Sequence, residues 1–133
     1  MLVKNWGNYP VIETSMKTPS NEADALEYVA TSAKAIGRGL GRCYGDSALN
    51  DMLIISSTRL NHMLEFNPET GILVAEAGVS LAEIVEVFAP RGWFVPVTPG
   101  TKFVTLGGAV ASDVHGKNHH VSEPLFNKQR VRL

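Results

Sequence analysis

The glycines of this chain are its strongest constraint, because they gather in two stretches that few regular elements would tolerate. The first, residues 37–50, reads G-R-G-L-G-R-C-Y-G-D-S-A-L-N. Glycine weakens a strand interior, so such spacing predicts a loop whose backbone approaches something closely. Bare N–H groups converging in such a loop bind an anion such as a pyrophosphate, and Arg38 and Arg42 add positive charge. A plain multi-glycine turn accounts for the same spacing. Two familiar phosphate motifs fail. The G-x-G-x-x-G fingerprint breaks at Arg42 when counted from Gly37, and at Tyr44 when counted from Gly39. The Gly-Lys-Ser/Thr ending of a P-loop is absent.

The second stretch begins with Thr98-Pro99-Gly100-Thr101. It continues from Thr105 as T-L-G-G-A-V-A-S-D-V-H-G-K-N-H-H. Thr105 is suited to cap a short helix whose first turn, Gly107 and Gly108, carries no side chain to block a ligand. Exposed amides at that terminus favour an anion or an electron-rich carbonyl. His115, His119 and His120 raise the question of a metal. His115 and His119 have helical zinc-pair spacing, but Gly116 and Asn118 disfavour a helix, no Glu lies between them and no Cys is near. The expectation is no metal. A polar loop and a cofactor-facing loop both remain open.

Around these stretches, strands and helices are mixed. Ser20 is expected to cap a helix that carries Glu22 and Asp24 at its positive end and Ala23, Leu26, Ala30 and Ala33 on one face. Residues 52–56 predict a buried strand. Residues 63–66 and 72–75 predict a hairpin closed by Asn67-Pro68-Glu69-Thr70-Gly71. Ser80 and Glu83 form a capping-box pair, heading a helix that buries Leu81, Ile84, Val85 and Phe88 and stops near Pro90 and Gly92. Residues 93–97 predict another strand. A hairpin within this order favours an α+β class over a purely parallel doubly wound sheet.

Hydrophobic residues make up 44% and charged residues 19%, enough for a packed core. The net charge of -1 gives no basic surplus for nucleic acid or anionic lipid. The single cysteine, Cys43, excludes an internal disulfide. No signal peptide or membrane span is evident, and the expectation is a soluble cytoplasmic protein.

Taken together, in this order and spacing, the two stretches resemble the FAD-linked oxidase family with the vanillyl-alcohol-oxidase (PCMH-type) FAD-binding fold. Within it, H-G-K-N-H-H is most similar to the decaprenylphosphoryl-β-D-ribose 2-oxidase subgroup. The resemblance runs from about Pro19 to His120. It implies the N-terminal portion of a PCMH-type domain, short mixed sheets with packed helices. It also implies that Gly39, Leu40, Gly41, Arg42 and Cys43 surround the FAD pyrophosphate, with Arg38 and Tyr44 close by. Pro99, Gly100, Thr101 and Thr105 would line the cofactor path. Gly107, Gly108 and Ala109 would pack on the flavin and ribityl region, joined by Ser112. Val114, His115 and Gly116 would sit near the isoalloxazine ring, and Lys117 would face the substrate. His115 and Lys117 are the implied catalytic pair. Covalently flavinylated relatives carry a histidine where Arg42 stands, so noncovalent FAD is implied.

The function implied is that of an oxidoreductase acting on an alcohol or sugar hydroxyl, such as that of a polyprenyl-phosphate-linked ribose. The alternative is a noncatalytic truncated remnant or assembly module that retains the fold without flavin. Residues 1–120 read as the start of the FAD-binding domain and 121–133 as a divergent tail with local basic charge. The substrate domain is expected to be missing, so this chain alone is expected to be inactive. Self-association through exposed apolar surface is a further expectation.

Overall fold

The computed structural model describes residues 1–114, 126–127 and 130–133. It divides into two compact units, Met1–Leu60 and Asn61–Leu133.

In the first unit an antiparallel pair, β1 (Leu2–Lys4) and β2 (Val11–Glu13), places Val3 opposite Ile12. A three-stranded parallel sheet follows, built from β3 (Ser15–Lys17), β4 (Ile36–Arg38) and β5 (Leu53–Ser56) in the order β3-β5-β4. The L-I-I-S run of β5 lacks alternation, and all four residues are buried, as a central parallel strand requires. A small core of Val3, Leu49 and Ile54 lies beneath. Gly37 falls inside β4, opposite Ile55, and not in the expected loop. Because β4 is a three-residue edge strand, one glycine costs it little.

The crossover from β3 to β4 contains α1 (Glu22–Ala30), the kind of connection parallel strands need. Its cap is Asn21 and not the expected Ser20. Asn21 Oδ1 accepts the Asp24 N–H at 2.9 Å, and Asn21 Nδ2 donates to Asp24 Oδ2 at 3.0 Å. Both residue types cap well, but only the later one meets Asp24 at the third helical position. The expected apolar face does not form a buried seam: no α1 residue is buried, and Leu26 and Val29 are 62% and 61% exposed.

The second unit holds the expected hairpin, β6 (Met63–Asn67) and β7 (Ile72–Ala75). Asn67 Oδ1 accepts the amides of Glu69 and Thr70, and the Gly71 amide donates to Asn67 O at 2.8 Å. Gly71 has φ 72°, and a Cβ there would lie 2.8 Å from both Leu133 O and the Trp93 ring. Conformation and space both demand glycine. Two further strands, β8 (Phe126–Asn127) and β9 (Arg130–Arg132), complete an antiparallel sheet ordered β6-β7-β9-β8. The end of the chain is thus a paired strand, with Val131 1% exposed in the core.

Against this sheet packs α2 (Leu81–Phe88), which buries Leu81, Ile84 and Phe88. The Ser80–Glu83 capping box is complete, and a 3-10 turn, Ala89–Arg91, ends the helix at Gly92. Phe66 lies 4.6 Å from Phe88 and 5.4 Å from Trp93, the latter edge-on. Residues 93–97 do not form the expected strand. Val95 and Val97 alternate into the core while Phe94 stays exposed, so the pattern is that of a strand. No ladder forms, however, and Pro96 has no N–H to give one. The unit also contains α3 (Leu106–Ala111). The parallel sheet of one unit and the antiparallel sheet of the other give the α+β class expected. No described helix is long and apolar enough to cross a membrane.

Candidate functional site

The first glycine stretch leaves β4 and turns back beneath β1. Trp6 N–H donates to Gly41 O at 2.9 Å, and Asn5 Nδ2 donates to Gly45 O at 2.9 Å. Arg38 reaches the same place from the strand end, donating to Asn5 Oδ1, to Lys4 O at 2.7 Å and to Ala48 O at 3.4 Å. Burial pulls the Arg38 guanidinium below its ordinary pKa, and the neighbouring Cys43 opposes that shift. The Arg42 guanidinium lies over the Trp6 ring, 4.9 Å from its centre. Gly41 is buried at φ 66°, and a Cβ there would overlap the Arg38 guanidinium.

These contacts use the loop's carbonyls and leave its donors. Among the described residues, the amides of Leu40, Gly41, Cys43, Tyr44 and Gly45 donate to no protein acceptor. Beside them is an open cleft of about 460 Å³ lined by Lys4, Asn5, Trp6, Asn8, Arg38, Leu40 and Gly41. Unspent amides in a turn with a left-handed residue, flanked by Lys4 and Arg38, suit an anion. The donor set fits a pyrophosphate. Tyr44 is 75% exposed and Cys43 is half-buried.

The second stretch is built differently. Thr105 is 1% exposed, and its Oγ1 caps α3 by accepting the Gly108 N–H at 3.1 Å. The Leu106 amide donates to Val79 O, the Gly107 amide to Ala77 O (both 2.8 Å) and the Ala109 amide to Thr105 O. The first-turn amides are therefore spent within the protein. The expectation that they are exposed for an anion or carbonyl does not hold. Gly107 is small because Ala77 is there: a Cβ would meet the Ala77 Cβ at 3.1 Å. Ala109 is fully buried, whereas Gly107 and Gly108 are half-buried and offer Cα surface.

Thr98 and Gly100 are exposed, Pro99 is half-buried, and Thr101 Oγ1 accepts the Phe103 amide. At the far end of α3, Asp113 takes φ 47°. Its amide donates to Val110 O and that of Val114 to Ala109 O, a Schellman closure with Asp where Gly is usual. Ser112, exposed, is the C-cap. His115, Gly116 and Lys117 lie outside the described residues. No cluster of metal-ligating side chains occurs among those described.

The first loop thus brings Arg38, Gly41 and Arg42 together with Lys4, Asn5 and Trp6, residues that belong to no recognised motif. Their only signal was the turn-forming run N-W-G-N. The second stretch brings Thr105, Gly107, Gly108 and Ala109 together in its own unit.

The FAD binding domain family matches residues 16–129. Decaprenylphosphoryl-beta-D-ribose oxidase from Mycolicibacterium smegmatis (strain ATCC 700084 / mc(2)155) is 37% identical over 131 residues, covering 94% of this chain and 28% of that protein. L-gulonolactone oxidase 5 from Arabidopsis thaliana is 31% identical over 109 residues, covering 75% of this chain and 18% of that protein. Among solved structures, a cholesterol oxidase from Brevibacterium sterolicum superimposes with a TM-score of 0.75 at 19% identity, covering 86% of this chain and 24% of that one. The sequence described here thus spans no more than 28% of these three proteins. The matched stretch takes in both glycine-rich segments, and the chain belongs to the FAD binding domain family, whose cofactor is FAD.

Proposed function

We propose that this chain is the FAD-holding portion of an oxidoreductase that oxidises an alcohol carbon of a sugar, with the pyrophosphate of FAD seated on residues 39–45. The observation that carries the reading is the set of unspent amides around buried Gly41, with Lys4 and Arg38 beside them. Arg38 and Arg42 supply positive charge, and Arg42 stands where a covalent attachment would need a histidine, so the flavin is held without a bond. Gly107 and Gly108 offer backbone surface to the cofactor and Thr105 holds them in place. By their motif, His115 orients the substrate hydroxyl or tunes the cofactor, and Lys117 binds an anionic group on the substrate. Bound FAD supplies the hydride acceptor, and the protein contributes orientation and polar contacts. The name of the M. smegmatis relative supports a ribose carrying a polyprenyl phosphate as the substrate.

The test is the visible absorption of the purified protein after incubation with FAD and desalting. A flavin band that stays with the native protein and leaves on denaturation is the expected result. A band that stays with the denatured polypeptide overturns the noncovalent assignment and points to Cys43. No retained band overturns this reading in favour of a remnant that keeps the fold without flavin.

A further inference from the structure

Asn5 belongs to no motif, yet it is a polar side chain only 4% exposed, at the exit of β1. Its amide group is used at both ends. Nδ2 donates to Gly45 O at 2.9 Å, and Oδ1 accepts from the Arg38 guanidinium. The next residue, Trp6, donates its backbone N–H to Gly41 O. Residues 5 and 6 therefore grip the glycine loop at two carbonyls, Gly41 and Gly45. Between and beside those points lie the amides that donate to no protein acceptor among the described residues. Carbonyls held from outside fix their peptide planes, here those joining Gly41 to Arg42 and Gly45 to Asp46, and so limit how the amides between the two can turn. An anion bound by such a loop gains from donors already aimed, because ordering them costs nothing at the moment of binding.

We infer that Asn5 is a positioning residue for the FAD pyrophosphate: it holds the Gly45 and Arg38 sides of the loop so that the amides of Cys43, Tyr44 and Gly45 converge. The inference rests on the proposed seat of the pyrophosphate. The amide group of Asn5 is spent on protein partners at both ends, so it acts through the loop. An amide side chain suits the position, since one neighbour requires a donor and the other an acceptor. Aspartate keeps the acceptor for Arg38 and loses the donor to Gly45 O. Alanine loses both.

The experiment is a FAD titration of the protein, read by flavin fluorescence well below its unfolding temperature, on wild type, Asn5→Ala, Asn5→Asp and Gly41→Ala. Gly41→Ala tests the seat itself. Asn5→Ala is expected to weaken FAD binding by about tenfold, the equivalent of one well-made hydrogen bond. A purely structural role would lower the unfolding temperature and leave the Kd of the folded protein unchanged, which overturns the inference. Should Asn5→Ala not fold, Asn5→Asp decides. Its binding must be weaker than that of wild type measured at the same salt, through the lost donor to Gly45 O. Wild-type affinity in the folded variant overturns the inference. If Gly41→Ala binds FAD as wild type does, the seat is wrong and the inference falls with it. If Gly41→Ala fails to bind and the Asn5 variants bind normally, the seat stands and the inference alone is lost.

Discussion

Glu76 shows how one side chain can fasten the open end of a hairpin. Its Oε2 accepts the backbone N–H of His62 at 2.8 Å and meets His62 Nδ1 at 2.7 Å, while its own amide donates to His62 O. The His62 backbone N–H is the main reason its carboxyl sits below the ordinary carboxylate range; the His62 ring adds to that, and partial burial opposes it. A carboxylate depressed in the folded state stabilises above its unfolded pKa, and this stabilisation is lost as pH falls through the folded value. Wild type should therefore lose stability more steeply than Glu76→Gln below about pH 4, measured by urea midpoints across pH. Parallel pH profiles would show that the pair contributes nothing to the fold. Such a role was not legible in the sequence, because His62 and Glu76 meet only after β6 and β7 pair. Asn5 was hidden for the same reason, with partners at Arg38 and Gly45. Gly41 was legible, because glycine carries its conformational meaning without any partner.

Helix ends follow the same division between local and distant causes. The Ser80-x-x-Glu83 signature closes within one turn, so it could be read directly, and the structure has both of its hydrogen bonds. Ser80→Ala removes the Oγ that accepts the Glu83 amide and donates to Glu83 Oε2. It should cost about 1–2 kcal/mol in a urea titration. A change within a few tenths of a kcal/mol would mean that the bonds from α2 to residues 102 and 104 hold the helix start unaided. At the start of α1 the expected cap, Ser20, gives way to its neighbour Asn21, because the two types cap about equally well and only Asn21 meets Asp24 three residues on. Residues 93–97 misled in another way. Alternating burial is a property of an extended chain, whereas a strand also needs a neighbour, and that depends on the rest of the sheet.

For the whole molecule, the division into two units and the strand orders were the least legible, since each depends on pairings between distant segments. The α+β class was legible from the hairpin and the strand–helix alternation, while the parallel order β3-β5-β4 was not. The last residues read as a charged tail because R-V-R shows one apolar residue between two cations. In the structure that residue, Val131, sits opposite Leu73 and belongs to the core of the second unit. Val131→Ala should cost about 2 kcal/mol through lost burial and the cavity left behind. A urea midpoint unchanged from wild type would show that β9 adds nothing to that core. One further consequence follows from where the two indoles fall. The chain has two tryptophans, Trp6 beside the glycine loop in Met1–Leu60 and Trp93 against Phe66 in Asn61–Leu133. Each half therefore carries its own intrinsic fluorophore. Single Trp→Phe replacements would turn the protein's emission into two separate optical channels, one reporting on the loop and the other on the hairpin core.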